Sequence, residues 1–290
     1  KDINPGPGSS FPADLLERSS KLYFTADDGT SGRELWLKTF STYRIADIQP
    51  GPIGSNPSDL TLVGNSGDMF FAADDGTNGA ELWTTVGATA GSTVVVSLVK
   101  DIHPGGGSGP ANFIDIGGTL YFTATDGTNG VELWKSDGTS GGTVMVKDIR
   151  PGTGSSSPAL LTRKDGFNLY FTADDGTAGR ELWKSDGTEG GTVMVKDIAP
   201  GAPSSTPTEL AYFGGTLQFA ANDGTTGNEP WTSDGTTVGT TLIKDVYPGA
   251  TSSNPVEFLA GGSAASVIFA ATDPTAGREW RASDLTPAGT

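Results

Sequence analysis

The sequence predicts an all-β protein, a six-bladed β-propeller of four-stranded antiparallel blades, and three observations support this prediction. A block of roughly 48 residues recurs six times, which is typical of propellers and other repeat folds. Within each block the apolar residues alternate with a period of two, in runs of about five to eight residues that indicate strands. Clusters of Gly, Asp and Pro separate these runs and favour tight turns. One tryptophan marks each copy: Trp36, Trp83, Trp134, Trp183, Trp231 and Trp280.

The third block shows the predicted elements in order. Its strands are expected at residues 112–116, 119–125, 131–136 and 143–149. Glycine- and aspartate-rich turns at residues 117–118, 126–130 and 137–142 join them as hairpins, because Gly and Asp adopt the backbone conformations that tight turns need. A longer loop, residues 150–158, leads to the next block. Four antiparallel strands and one long connection, repeated six times, predict propeller blades.

The two ends of the chain are expected to close the ring. Lys1-Asp2-Ile3 matches the end of a fourth strand at residues 147–149, whereas Thr290 aligns with Thr143, just before such a strand begins. The sixth blade would therefore lack a fourth strand of its own, and the N-terminal segment would help to complete it, which removes free sheet edges. The sequence thus predicts one propeller domain over residues 1–290.

Phenylalanine, tryptophan and glutamate recur at fixed places in the blades. We expect the aromatic residues to fill the space between neighbouring blades, and a ring of tryptophan platforms for sugars is the alternative. The repeated glutamates are expected to cap backbone N–H groups of the D-G-T-x-G turn. In the sixth copy Trp280 takes the place of the Leu and Arg281 that of the Trp. The phenylalanines are Phe24, Phe71, Phe122, Phe171, Phe219 and Phe269, and the glutamates are Glu34, Glu81, Glu132, Glu181, Glu229 and Glu279.

Two copies carry the complete motif E-L-W-K-S-D-G-T, at residues 132–139 and 181–188. Weaker copies stand at Glu34-Leu35-Trp36, Glu81-Leu82-Trp83 and Glu229-Pro230-Trp231. On this motif the chain resembles the bacterial ELWxxDGT repeat family over nearly its whole length. The resemblance implies a secreted or surface-displayed repeat protein without an established enzymatic role.

Composition limits the partners and the location. The chain has 34 acidic and 18 basic residues and a net charge of −16, which would repel a phosphate backbone, so no nucleic-acid partner is expected. No apolar run approaches the roughly 20 residues that a membrane helix needs, so no membrane insertion is expected. The absence of Cys, the many Gly residues and the lack of an initiator Met before Lys1 suit an exported protein. We therefore expect an extracellular or cell-surface location.

The residue before each P-G differs from block to block and predicts a ligand site. In a propeller, the loop from the fourth to the first strand lies on the same face as the D-G-T-x-G loop. The side chains at these positions would form an uneven ring of donors, acceptors, one cation and one aromatic, as expected for an asymmetric ligand site. Neutral drift in exposed loops is the alternative. The predicted ligand-binding residues are Asn4, Gln49, His103, Arg150 and Tyr247, with Ala199 at the sixth position.

The second residue after each loop proline predicts a metal site. The first strand of a blade is innermost, so the carboxylates here would converge near a central channel, where oxygen ligands favour Ca²⁺. A wet channel that merely tolerates carboxylates is the alternative. The predicted ligands are Asp14, Asp59, Glu209 and Glu257, with Asn112 and Leu160 at the remaining positions. The acid pairs at residues 27–28, 74–75 and 174–175 could also bind Ca²⁺, but they are better interpreted as turn caps.

The residue inventory argues against most enzymes. With no Cys and only His103, the chain has no thiol nucleophile and no multi-histidine metal centre, and it contains no G-x-S-x-G motif. We therefore predict a non-enzymatic extracellular or cell-surface module with a binding or structural role. One form of this prediction is a subunit of a surface assembly, and the expected partner is a surface protein or a glycan. The alternatives are a calcium-assisted lectin and a glycosidase that pairs Asp59 with Glu209 or Glu257.

Overall fold

The computed structural model describes residues 1–18, 20–64, 68–86, 94–164, 166, 168–262, 266–286 and 289. Thr290, which entered the prediction of ring closure, lies outside these residues. Over the described ranges the regular elements are strands in six antiparallel sheets. The chain divides into two compact units, Lys1–Asp148 and Ile149–Thr290, each with three of the sheets.

The first unit contains blades 1 to 3, each of four strands in sequence order. Blade 1 consists of β1 (Ala13–Arg18), β2 (Lys21–Asp27), β3 (Arg33–Lys38) and β4 (Thr42–Arg44). Blade 2 consists of β5 (Ser58–Leu62), β6 (Met69–Asp74), β7 (Ala80–Val86) and β8 (Val95–Lys100). Blade 3 consists of β9 (Ala111–Ile116), β10 (Thr119–Ala124), β11 (Glu132–Ser136) and β12 (Val144–Lys147).

The second unit contains blades 4 to 6. Blade 4 consists of β13 (Ala159–Arg163), β14 (Leu169–Asp174), β15 (Arg180–Ser185) and β16 (Val193–Lys196). Blade 5 consists of β17 (Thr208–Phe213), β18 (Thr216–Asn222), β19 (Asn228–Ser233) and β20 (Thr241–Leu242). Blade 6 consists of β21 (Val256–Ala260), β22 (Val267–Asp273) and β23 (Gly277–Ser283), and its described residues form no fourth strand, as predicted.

The aromatic core of the blades agrees with the prediction. The repeated Phe of the second strand lies opposite the repeated Trp of the third, as in Phe122 and Trp134, whose ring centroids are 6.5 Å apart. Both side chains are buried, and they pack with Phe70 and Leu82 of the preceding blade. Trp183 and the tryptophans at equivalent positions in blades 1, 3 and 5 are at most 5% exposed, so they are not open platforms for sugar rings.

Blade 6 departs from this arrangement at the residues where its sequence departs from the repeat. Arg281 lies opposite Phe269 in the place of the tryptophan, and its guanidinium pairs with Asp273. Trp280 lies opposite Ala270 and is 56% exposed. The leucines at the equivalent position, such as Leu133 and Leu182, are fully buried, so the change of face alone does not explain the exposure of Trp280.

The N-terminal segment makes the contacts expected for the end of a fourth strand. Lys1 Nζ donates to the Thr42 carbonyl oxygen at 3.2 Å and lies 5.3 Å from the centre of the Trp36 ring. Lys196, at the end of β16, makes the same pair of contacts with Thr240 and Trp231 of the next blade. The alignment of Lys1 with the last residue of a fourth strand is thus supported, while ring closure and the single domain stay predictions.

Candidate functional site

Two left-handed residues, three positions apart, mark the start of each first strand, and the second of them lies at a β-bulge. The first directly precedes the loop proline in all six blades and has φ between 44° and 56°. The second is the position predicted to hold a metal, and it has φ between 53° and 58°. The strand register shifts directly beside it in every blade. These second residues are Asp14, Asp59, Asn112, Leu160, Glu209 and Glu257, and all six are exposed.

A left-handed conformation costs a residue such as Leu160 or Glu209 about 1–2 kcal/mol, so the surrounding structure must hold it in place. Arginines at the start of the third strand supply part of this support. Arg33 donates to the Phe11 carbonyl oxygen at 2.8 Å and to Thr25 Oγ1 at 2.7 Å. Arg180 makes the equivalent bonds in blade 4, and burial lowers the pKa of its guanidinium. The bulges are therefore fixed features that present their side chains to solvent.

In the first unit, two of the bulge side chains bond within their own blade. Asp14 Oδ2 accepts a hydrogen bond from Thr25 Oγ1 at 2.9 Å. Asn112 Nδ2 donates to Thr123 Oγ1 at 3.1 Å. Thr25 also receives the Arg33 bond, so the bulge, the second strand and the third strand of blade 1 are linked through one hydroxyl.

In the second unit, the bulge residues of neighbouring blades interact. The Glu257 backbone N–H donates to Glu209 Oε2 at 3.0 Å. A groove of about 420 Å³ runs over the first strands of blades 4 to 6 beside these residues. Its lining combines the two carboxylates with apolar side chains, chiefly Leu160, Leu210 and Phe258. The groove brings together three of the bulge positions singled out from the sequence, Leu160, Glu209 and Glu257.

The described residues contain no group of three or more His, Asp or Glu side chains arranged to hold a metal ion. The predicted calcium ligands Asp14 and Asp59 belong to the first unit, and Glu209 and Glu257 to the second. Calcium binding by these residues stays a prediction, and a melting curve with and without chelator tests it.

In blades 1 to 4 the residue before P-G lies against the glycine of the next D-G-T turn. In the first unit the His103 ring covers Gly127, and its Nδ1 lies 3.2 Å from the Gly107 carbonyl oxygen. In the second unit Arg150 lies over Gly176 and pairs with Asp174 at 3.4 Å. Asn4 and Gln49 take the same position over Gly29 and Gly76, whereas no atom lies within 4 Å of the space above Gly224. Part of each side chain is committed to its turn, and ligand binding by this set, including Tyr247, stays a prediction.

The repeated glutamates cap backbone groups, but in a different loop from the one expected. Glu229 accepts hydrogen bonds from the N–H groups of Val246 and Ser253 at 2.9 and 2.7 Å, and from Ser253 Oγ at 2.7 Å. These donors belong to the loop that leads into the next blade and not to the D-G-T-x-G turn. Burial raises the pKa of the Glu229 carboxyl, and the hydrogen bonds offset part of that rise. The expectation failed because the loop partner comes from outside the local hairpin. Glu34, Glu81 and Glu181 make equivalent bonds.

The aspartates of the D-G-T-x-G turns are turn caps, as predicted. Asp126 Oδ1 accepts from the N–H groups of Thr128 and Asn129 at 2.9 and 2.7 Å. Burial raises the pKa of this carboxyl, but the hydrogen bonds outweigh burial and lower the pKa from 3.8 to about 2. In the acid pairs both members act as caps, since Asp27 accepts from the Gly29 N–H and Asp28 from the Thr30 N–H. In each of these aspartates Oδ1 is thus occupied by the turn itself.

No protein-family model and no curated protein matches the chain. Solved structures do match, at low identity. A puromycin-hydrolyzing peptidase from Mycobacterium tuberculosis is 14% identical with a TM-score of 0.50, over 97% of this chain and 43% of the peptidase. A puromycin hydrolase is 13% identical with a TM-score of 0.47, over 97% of this chain and 53% of the hydrolase. Oligopeptidase B from Leishmania major is 14% identical with a TM-score of 0.48, over 96% and 39%.

These comparisons correct the predicted function. The structure that matches with a TM-score of 0.50 is that of a peptidase, which contradicts the predicted binding or structural module and its lectin and glycosidase alternatives. The prediction failed because exposed polar and acidic side chains do not by themselves distinguish a glycan from a peptide. The resemblance to the ELWxxDGT repeat family is not addressed by these matches and stays a prediction.

The chain spans about half or less of the length of the solved structures that it matches. No helix in the described part of the chain is long and apolar enough to cross a membrane. The six antiparallel sheets and the likeness to the M. tuberculosis peptidase together confirm the predicted fold class, an all-β, six-bladed β-propeller.

Proposed function

We propose that this chain is the propeller part of a peptidase-related protein, in which it binds peptide substrate and does not supply the catalytic groups. The proposal rests on the extent of the structural match, which covers 97% of this chain but only 43% of the M. tuberculosis peptidase. What the two proteins share is thus a propeller-sized part of a larger peptidase.

The exposed bulge residues suit a peptide-binding role. They stand on strands that hydrogen bonds and arginine contacts hold in one geometry, as in the Arg180 bonds to Ser157 and Thr172. Their side chains differ from blade to blade, whereas the Phe of the second strand and the Glu of the third strand repeat. A rigid support with varied exposed side chains favours selective binding over mere packing.

The residue composition supports the proposal that the catalytic groups lie outside this chain. A serine–histidine mechanism in this chain would have to use His103, the one histidine of the sequence. The ring of His103 lies over Gly127, and its Nδ1 is close to the Gly107 carbonyl oxygen. This position suits a loop contact better than a general base, which must reach a nucleophile.

Peptide binding can be measured by fluorescence anisotropy with short, unstructured labelled peptides of varied composition. We expect saturable binding of peptides, and no binding of the same segments embedded in a stably folded protein. Equal binding of the folded protein, or no binding of any peptide, would overturn the proposal.

The absence of catalysis needs its own measurement. Peptides incubated with the purified protein should be recovered intact by mass spectrometry. Hydrolysis that is lost in His103→Ala, while the melting temperature is unchanged, would show that the chain itself is catalytic.

An extracellular location is part of the proposal. So is the exclusion of nucleic-acid partners, which rests on the net charge of −16.

A further inference from the structure

The groove on the first strands of blades 4 to 6 combines carboxylates with apolar side chains. Glu209 and Glu257 present carboxylates, and Leu160, Leu210 and Phe258 supply apolar surface within the same 420 Å³. Leu160 is 45% exposed although it is a large aliphatic residue in a left-handed conformation. The groove therefore offers both charge and apolar contact to whatever enters it.

The two carboxylates have no basic partner among the described residues. The ion pairs in that part of the chain join Arg44, Arg150 and Arg281 to aspartates, and none includes Glu209 or Glu257. Both glutamates are exposed. Their charge is thus available to a cation from outside the chain.

The backbone fixes the positions of the two glutamates. Each has φ close to 57°, and the N–H group of Glu257 donates to the carboxylate of Glu209 at 3.0 Å. This bond joins neighbouring blades and limits the freedom of the Glu209 side chain. A carboxylate held in place loses less conformational entropy when it binds a cation, which favours a specific contact.

The apolar part of the groove favours a cationic side chain over a metal ion. A small hydrated ion gains nothing from leucine and phenylalanine, whereas Lys and Arg side chains place an aliphatic stem on apolar surface and keep the charge at its edge. Phe258 is only 6% exposed and packs on Phe269, with ring centres 5.5 Å apart, so the exposed apolar surface of the groove comes mainly from Leu160. The groove matches a long, cationic side chain in both charge and shape.

We propose that this groove binds a lysine or arginine side chain of a peptide, so that the chain selects basic peptides. The inference rests on the proposed function and names the class of peptide. The occupant is identified by charge complementarity, because the strongly acidic chain leaves these two carboxylates without a cation of its own.

The test compares three peptides that differ at one residue, which is lysine, norleucine or glutamate. Norleucine keeps the aliphatic stem and removes the charge. We expect the lysine peptide to bind about tenfold more tightly than the norleucine peptide, as for two partly exposed ion pairs. This preference should weaken as salt is added, because exposed charges are screened.

The double variant Glu209→Gln/Glu257→Gln should bind the lysine and norleucine peptides equally. Glu17→Gln/Glu189→Gln, which removes two exposed carboxylates outside the bulge positions and the groove, is the matched control and should keep the preference. Circular dichroism melts of both variants establish that each is folded.

The outcomes separate this inference from the proposed function. If all three peptides bind with the same affinity, or the control variant loses the preference instead, the groove assignment is wrong and peptide binding stands. If no peptide binds, the proposed function itself fails. The lysine preference should also be measured with and without Ca²⁺ at the same ionic strength. If Ca²⁺ abolishes the preference, the carboxylates bind a metal ion and the inference is wrong.

Discussion

Glu229 of the third strand in blade 5 and Glu257 of the first strand in blade 6 carry the same chemical group in opposite circumstances. Glu229 is fully buried, and its carboxylate accepts three hydrogen bonds from the loop before blade 6. Glu257 is exposed at the rim of a groove. The first recurs in the motif of other blades, whereas the position of the second holds Glu in blade 5 and Asp, Asn or Leu in the other four.

This difference distinguishes the positions of the repeat that stabilise the fold from the positions that are available for binding. A side chain that satisfies buried backbone groups must be the same in each blade, because an unpaired buried N–H group costs free energy. An exposed side chain on a fixed bulge can vary without affecting the fold. We therefore look for recognition on the first strands and for stability on the third strands.

The largest expected effect comes from the tryptophans of the third strand. Trp183→Ala should lower the free energy of unfolding by about 3–5 kcal/mol, since it leaves a cavity beside Phe171. Trp280→Ala, at an exposed position of blade 6, should cost about 1 kcal/mol or less. Urea denaturation of both variants measures the difference, and a similar loss in the two would contradict the distinction between core and surface tryptophans.

The glutamates give the next largest effect. Glu229→Ala leaves two buried N–H groups and one hydroxyl without their acceptor and should lower the free energy of unfolding by about 3 kcal/mol. Glu257→Ala should change it by no more than about 0.5 kcal/mol. The same denaturation experiment applies, and a large loss from Glu257→Ala would mean that the first strand is structural after all.

Two glycines of the D-G-T turns allow a loop that is covered by a side chain to be compared with one that is not. Gly127 and Gly224 have nearly the same φ, 82° and 81°, but only Gly127 lies beneath a side chain, the ring of His103. Gly224→Ala should cost about 1 kcal/mol for the left-handed backbone, and Gly127→Ala about 2–3 kcal/mol because the ring must also move. Adding His103→Ala to Gly127→Ala should recover the difference, and no recovery would exclude the steric explanation.

The smallest expected effect is a dependence on pH. The pKa of Asp126 falls from 3.8 to about 2 in the folded protein. A lowered pKa contributes stability that is present above the usual value and is lost as the pH falls from about 4 to 2. Asp126→Asn should therefore flatten the stability profile in this range, as measured by urea midpoints at several pH values. An unchanged slope would mean that this cap contributes nothing through its charge.

The opposite sign applies to Glu229, whose pKa is raised by burial. The stability linked to this shift is present below the usual pKa of a glutamate and is lost as the pH rises through the raised value. The two carboxylates thus respond to pH in opposite directions, although both accept hydrogen bonds from backbone N–H groups.

Much of the fold could be predicted from local pattern. In blade 3 the strands expected at residues 112–116 and 119–125 are observed at Ala111–Ile116 and Thr119–Ala124. The turn-capping role of Asp126 was also predictable, because its acceptors and donors lie within three residues of each other. The left-handed backbone of Glu209 was not, since glutamate has no preference for that conformation.

The arginine contacts were missed as well. Arg33 and Arg180 directly precede the E-L-W motif, and their recurrence in the same place was the available signal. The partner of Arg180, the Ser157 carbonyl oxygen, lies 23 residues earlier in the chain. Such a contact depends on how the first and third strands of a blade meet, which no local pattern shows.

Local sequence was enough to predict the number of blades, the place of the strands and turns, and the aromatic core, because periodicity and turn residues act over a few neighbours. The packing of the blades was needed to show that the repeated glutamates bind the following loop and that Glu209 and Glu257 line the same groove. These features join residues that are 24 and 48 positions apart, and their geometry depends on how one blade packs against the next.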